Sequence, residues 1–211
     1  MQKIDLERRA EIGREKRAKT RALILEAGEM LLAKRPAEAL TVDAVVEAAD
    51  VAKGTFYYHF QNIDDLTAAV GAKLGESFDN LLTPARLSIP DPIARMSFAF
   101  TNFVEKAIAD PLWAQLVIRS AQAPTGFVLS VRANLTADLT QAAAQGRIVM
   151  QDLELAADIG LSILLGVMRG TIQRRAAPDL VRQSLDAAIR AIGVLHQPAP
   201  GLYRDSDEPA R

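Results

Sequence analysis

The sequence predicts an all-α protein, on three observations. Apolar residues recur at three- and four-residue steps along most of the chain, and no strand-length alternating run or fixed-period repeat interrupts them. Asp-Pro pairs at 91–92 and 110–111 have the form of a helix N-cap followed by Pro at the first helical position. The 211 residues are 49 % hydrophobic and 24 % charged, ordinary globular composition with enough apolar material for a substantial core.

Taken in order, Leu23, Ile24, Ala27, Met30 and Leu31 give a first helix from about residue 14 to Lys34, stopped by Pro36, which disfavours helical geometry at Arg35. Thr41 is a plausible N-cap for a short second helix carrying Val42, Val45, Val46 and Ala49. After the break at 50–52 comes a third helix, Lys53 to Phe60. Asn62 can cap a fourth, with Asp64 and Asp65 where the helix dipole favours carboxylates and a stripe of Leu66, Val70, Leu74, Phe78 and Leu81. The Pro-containing stretch 83–92 predicts an interruption, so this helix is expected to span 63–82. Helices opening at Pro92 and Pro111 follow, then others over Thr125 to Gly146, 153–176 and 178–196. The polar, Pro-rich tail at 197–211 is expected to be flexible.

Composition excludes several functions. There is no Cys, hence no disulfide, thiolate nucleophile or thiolate metal site, which suits a reducing cytoplasm. The two histidines are His59 and His196, so a His cluster for a metal is excluded and no cofactor is expected. The segment around Gly71–Ser77 lacks the spacing of a phosphate-binding glycine loop. Catalysis is therefore not expected. The amino-terminal region has no apolar core of a secretory signal, and the most apolar run, 159–168, is half the roughly 20 residues of a membrane span. A soluble protein without membrane contact is expected. Net charge is −1, yet Arg8 to Arg21 holds seven basic residues against two acidic ones. Such a run is either a solvated helix face or a patch for phosphates.

The stretch 54–60, GTFYYHF, is the sharpest local feature. Four of the eleven aromatics lie between Phe56 and Phe60, with His59 among them. Two short helices joined by a tight turn describe a helix-turn-helix, whose second member enters the DNA major groove. At about 100° per residue, Phe56 and Phe60 share one face while Gly54 and Tyr58 lie on the other. The phenylalanines can anchor the helix; Gly54 and Thr55 leave its start slim enough to approach base edges, with Lys53, Tyr57 and His59 at the flanks.

Residues 40–66, LTVDAVVEAADVAKGTFYYHFQNIDDL, resemble the DNA-binding signature of the TetR-type transcriptional repressor family. The matching pieces are Thr41-Val42, Ala48-Ala49, Val51, Lys53-Gly54-Thr55, Tyr57, His59-Phe60 and Leu66. The resemblance implies an all-helical homodimer, with a helix-turn-helix domain at 1–62 linked through the next helix to an effector-binding and dimerisation domain at 63–196. It implies that Lys53, Gly54 and Tyr57 face bases of a palindromic double-stranded operator. Thr41, Thr55, Tyr58 and His59 would lie at phosphates, and Arg17 and Arg21 at the adjoining backbone or minor groove. A small, largely apolar effector would release the operator. Repression or activation, and action through protein contacts without an effector, stay open.

Three positions depart from the family pattern. Asp50 stands where the turn usually has Gly, and Asp tolerates a left-handed backbone. Ala52 replaces a Ser N-cap at a cost of ~1 kcal/mol. Ile63 replaces a Lys that would add a phosphate contact, so weaker and less salt-sensitive DNA binding is expected. In the larger half, the apolar candidates for an effector pocket are Met96, Phe100, Phe103, Trp113, Leu116, Val117 and Phe127, with Arg119 as a charged contact. By analogy with the family, the last two helices form the dimer interface. Candidate interface residues are Gly160, Ile163, Val167, Leu185, Ile189 and Ile192.

Overall fold

The computed structural model describes residues 2–34, 39–121, 126–173 and 179–195. Among them are nine helices: α1 (Gln2–Leu32), α2 (Val42–Ala49), α3 (Lys53–His59), α4 (Ile63–Leu87), α5 (Pro92–Ala109), α6 (Pro111–Ser120), α7 (Gly126–Ala144), α8 (Leu153–Gln173) and α9 (Leu180–Ala191). A lone antiparallel bridge joins Ile148 to Val194. The all-α expectation holds; His196, Thr125 and the tail at 197–211 lie outside the described residues.

The helix starts are set by side chains that satisfy orphan backbone N–H groups. Thr41 Oγ1 accepts from Ala44 N at 3.3 Å, Asn62 Oδ1 from Asp65 N at 2.9 Å, Asp91 Oδ1 from Ala94 N at 2.8 Å and Asp110 Oδ1 from Trp113 N at 3.0 Å. Asp65 answers by accepting from Gln61 N at 3.0 Å, which fixes the entry to α4.

Several boundaries differ from expectation. α1 begins at Gln2 and not near residue 14, because nothing between there and Leu32 breaks a helix: Gly13 is the sole weak former before Gly28. Its buried stripe is Ile24, Ala27, Leu31 and Leu32, while Leu23 and Met30 are 43 % and 45 % exposed. Gly28 lies against the Leu66 side chain, and that contact sets the rotation of the helix. α4 does not stop at residue 82 but runs through the exposed Pro84 to Leu87. Pro84 forfeits one bond to a solvent-facing carbonyl, whereas the extra turn buries Arg86 in an ion pair. Leu81, expected on the inner stripe, is exposed. α9 ends at Ala191 and not 196, since Gly193 takes φ +79° and the chain turns into the bridge at Val194.

Two bodies of core result. Ile24, Leu32, Val45, Phe56, Phe60, Leu66 and Val70 unite α1–α4, and Leu112 and Leu116 of α6 close this cluster from the other side. Phe103, Trp113, Val117, Phe127 and Met168 centre a second cluster over α4–α9, continued by a third around Leu139, Ala156 and Ile192. α4 serves both bodies. Its buried face steps through Thr67, Gly71, Gly75 and Asp79 at four-residue intervals. At Gly71 the backbones of α4 and α6 nearly touch: a Cβ there would stand 1.9 Å from the Leu116 carbonyl oxygen. At Gly75 the Phe127 ring lies on the helix, 2.8–2.9 Å from the same hypothetical atom.

α8 is 21 residues long and, by length and composition alone, apolar enough to cross a membrane. Its Ala156, Ala157, Gly160, Leu164 and Met168 are buried in the protein core, while Leu155, Ser162 and Gly166 face outward.

Gly-to-Ala in a helix usually stabilises by ~0.4–1 kcal/mol. At Gly71 the sign reverses, because backbone must move to admit the methyl group. Gly71→Ala is expected to cost about 3 kcal/mol in a denaturant melt, and Gly75→Ala less, since a side chain can yield there. Equal costs would mean that the α4–α6 contact is not the tighter one.

Candidate nucleic-acid interface and internal cavity

α3 is pinned by its inner face and open on its outer one. Phe56 and Phe60 are fully buried, their ring centroids 5.8 Å apart, and the Arg21 guanidinium sits 4.8 Å over the Phe60 ring. Outward, Tyr57 and Tyr58 are 53 % and 68 % exposed, which a helix making only a local core does not require. Nothing lies within 4 Å of where a Gly54 Cβ would stand, so the start of α3 is free of bulk.

The turn before it behaves as the residue types suggest. Asp50 holds φ 51° and ψ 50°, the left-handed conformation, and its N–H caps α2 on Val46 and Glu47 carbonyls. Ala52 occupies the N-cap of α3 with no side-chain bond to offer. Ile63 packs against the α1–α4 core, so the departure from Lys there serves packing.

α1 and α3 together line an open groove of about 340 Å³, formed by Lys16, Arg17, Thr20, Gly54, Thr55, Tyr58 and His59. Lys16 and Thr20 were not singled out from sequence, although their spacing from Arg17 along the basic run could have placed them on this side. Lys53 stands beside the groove, and Asp43 across the turn holds its Nζ at 2.8 Å. The hydrogen bond and charge of Asp43 push the Lys53 ammonium pKa above its ordinary value, so it stays charged. Burial, and then the nearby Arg21 charge, push His59 below its ordinary 6.5. It is therefore mainly neutral at pH 7 and can present one N–H. Thr41, at the start of α2, spends its hydroxyl oxygen on the Ala44 N–H, and its own proton remains to donate.

The second site is a cavity of about 70 Å³ bounded by α4, α5, α7, α8 and α9. Of the residues proposed from sequence, Met96, Phe100 and Phe103 line it. The others do not. Trp113, Val117 and Phe127 pack in the solid core beside it, with the Trp113 and Phe127 rings 6.0 and 5.9 Å from Phe103. Leu116 belongs to the α1–α4 core, and Arg119 lies at the surface, 40 % exposed, bonded to Asp64 Oδ1 at 3.2 Å. Among the residues expected at a dimer interface, Gly160, Leu185, Ile189 and Ile192 line the cavity too, and Gly160 and Ile192 are buried within the protomer. Ile163 and Val167 are half-buried against the core. Helical periodicity marks which residues turn inward, but it cannot separate a packed interior from a hollow one.

One end of the cavity is polar, which sequence reasoning missed. Arg86 Nη1 donates to Asp138 Oδ2 at 3.0 Å and Nη2 to Asn134 Oδ1 at 3.1 Å. Arg95 Nε donates to Asp138 Oδ1 at 2.6 Å, its Nη1 to the Ile89 and Pro90 carbonyls and its Nη2 to Gln141. Asp79 Oδ2 accepts from Ser130 Oγ at 3.2 Å and Asn134 Nδ2 at 3.3 Å. Burial pushes the Asp79 carboxyl above the usual range, a rise that the Ser130 bond and the Arg86 charge partly offset. The one visible signal was Asp79 standing on the small-residue stripe of α4.

Removing the Arg21 charge while leaving the partial burial of His59 unchanged should bring the imidazole pKa partway back toward 6.5. An NMR titration of Arg21→Gln against wild type checks this; an unmoved midpoint would show that the guanidinium is not felt at the ring.

Residues 24–70 match the family described as "Bacterial regulatory proteins, tetR family". The HTH-type transcriptional repressor KstR of Mycolicibacterium smegmatis is 29 % identical over 198 residues, covering 90 % of this chain and 95 % of that one. The HTH-type transcriptional regulator TtgR of Pseudomonas putida is 37 % identical over 68 residues, 32 % of each chain. Among solved structures, RolR in complex with resorcinol superposes with TM-score 0.70 at 22 % identity, over 85 % of this chain and 90 % of that one. SmeT, the repressor of the Stenotrophomonas maltophilia efflux pump SmeDEF, gives 0.59 at 20 % identity over 90 % and 96 %. These two likenesses concern the fold. Residues 24–70 thus carry a TetR-type DNA-binding segment, and over nearly its whole length the chain is similar to a helix-turn-helix transcriptional repressor.

Proposed function

We propose that the protein represses transcription as a cytoplasmic homodimer on a palindromic operator and is released by a small, largely apolar effector. The observation that carries this is the groove between α1 and α3. A slim helix start stands between basic residues of α1 and hydrogen-bonding side chains of α3. Lys53, Gly54 and Tyr57 would reach bases. Thr41, Thr55, Tyr58 and His59 would hold phosphates, with Arg17 and Arg21 on the adjoining backbone. Residues 1–62 would form the reading unit and 63–196 the effector and dimerisation unit, linked through α4.

Dimerisation is supported by the outward face of α8, where Leu155, Ser162 and Gly166 put apolar and small groups on the surface. Two recognition helices must stand about one DNA turn, roughly 34–36 Å, apart to read a palindrome, which a two-fold dimer supplies. Repression is favoured by the repressor KstR, and a small effector by the resorcinol held by the structural neighbour RolR. An effector that prefers the wrong spacing lowers DNA affinity by the coupling free energy, typically ~1–3 kcal/mol.

Selection from a random-sequence DNA pool, with wild type beside Tyr57→Ala, tests the reading. Wild type should enrich a palindrome that the variant does not. A folded wild-type dimer that enriches nothing would sink the DNA-binding proposal.

A further inference from the structure

The cavity between α4, α5, α7, α8 and α9 is largely apolar, apart from Ser97, whose hydroxyl donates to the Ile93 carbonyl, and the end where Asp79, Arg86, Asn134 and Asp138 meet. That polar end is incompletely bonded. Arg86 Nε is buried and has no hydrogen-bond partner, although both Nη atoms of the same guanidinium are engaged. Both bonds received by Asp79 fall on Oδ2, leaving Oδ1 as an acceptor. A buried donor without an acceptor and a carboxylate oxygen able to accept thus share one end of a largely apolar space. An orphan such as Arg86 Nε is rare in native interiors and asks for an explanation.

The geometry points to a neutral, hydroxyl-bearing apolar small molecule as the ligand of this cavity, its hydroxyl oxygen accepting from Arg86 Nε and its hydroxyl proton donated to Asp79 Oδ1. A single O–H group supplies both missing halves, because a hydroxyl is donor and acceptor at once. A carboxylate supplies only the acceptor and would bring a third negative charge beside Asp79 and Asp138, against the two cations Arg86 and Arg95. A hydrocarbon supplies neither and leaves both groups desolvated and unpaired. The apolar walls, among them Phe100, Phe103, Leu164 and Ile189, take the rest of the molecule.

Size restricts that remainder. About 70 Å³ is less than half of the ~150 Å³ in which an apolar protein cavity holds benzene. Entry of even one small ring therefore requires a side chain to shift. Met96 on the wall is the residue type best able to do so.

This inference rests on the reading of the cavity as an effector site, and the test separates the two. Binding of phenol, toluene and benzoate to the full chain is measured by calorimetry at pH 7. The three share a ring and differ in the group offered to the polar end. Phenol should bind roughly tenfold or more tighter than toluene, and benzoate weaker than phenol. Asp79→Asn, which keeps the size but puts a donating NH2 where Oδ1 would accept the ligand's proton, should shrink the phenol-to-toluene ratio several-fold. Equal binding of phenol and toluene would overturn the hydroxyl assignment while leaving the cavity as an effector site. Benzoate binding tightest would assign the site to anions instead. Failure of all three to bind wild type would overturn the cavity's role as a site for ligands of this size, hydroxyl included.

Discussion

The contact between α4 and α6 at Gly71 is the constraint on which the two halves of the molecule depend. Helix axes usually stand 8–10 Å apart because side chains separate them. Here a residue without a side chain lets the Leu116 carbonyl rest on the α4 backbone. That approach delivers Leu116 and Leu112 into the core of the first three helices, while Trp113, Ala114 and Val117, on the same α6, stay in the core of the larger half. A helix held farther off would leave Leu66 and Val70 uncovered on one side and open a gap beside Phe103 on the other. Arg119 bonded to Asp64 closes the same junction at its edge, but its exposure makes it a minor contributor beside the buried leucines.

The second organising feature is the charge cluster at the far end of α4. Asp138 receives two arginines, and a buried carboxylate so bonded costs little, whereas removal of one partner would leave a desolvated charge. The same requirement explains why α4 tolerates Pro84. One lost backbone bond at a solvated turn is small beside the loss of Arg86 from its partners. Asp79 differs from Asp138 in having only neutral donors in contact, which is why burial dominates its titration.

The parts read correctly from sequence were those whose physics is local. Thr41, Asn62, Asp91 and Asp110 cap as expected because a cap depends on the residue and the next three. Asp50 takes the left-handed turn because its side chain permits it. The two faces of α3 were legible because Phe56 and Phe60 at one spacing and Tyr57, Tyr58 and Gly54 at another imply an anchored face and a free one. What failed depends on partners distant in sequence. Leu23 and Met30 fit the α1 periodicity as well as Ala27 does, and only the position of Leu66 decides which edge is buried. Arg119 and Arg86 look alike along the chain; Asp64 draws the first to the surface and Asp138 the second inward. A Pro at residue 84 predicts an interruption unless the value of burying Arg86 is known.

The position of the polar cavity end bears on the proposed regulation. Asp79 lies eight residues beyond Gly71 on the same face of an unbroken helix, about 12 Å along its axis at 1.5 Å per residue. Under the proposed regulation, a ligand that engages Asp79 and Arg86 would act on the same helix whose other end carries Leu66 and Val70 into the core of α1–α4. Interiors packed this closely respond by switching between arrangements more readily than by deforming gradually. Tilting α4 about the Gly71 contact would therefore displace the α1–α3 unit as a body, without rearrangement inside it. In the proposed dimer α3 would keep its anchored face, with Phe56 and Phe60 in place, and lose only its distance to the α3 of the second copy. If the proposed dimer reads a palindrome by that distance, a small rotation at the pivot would lower affinity while both α1–α3 units remain folded.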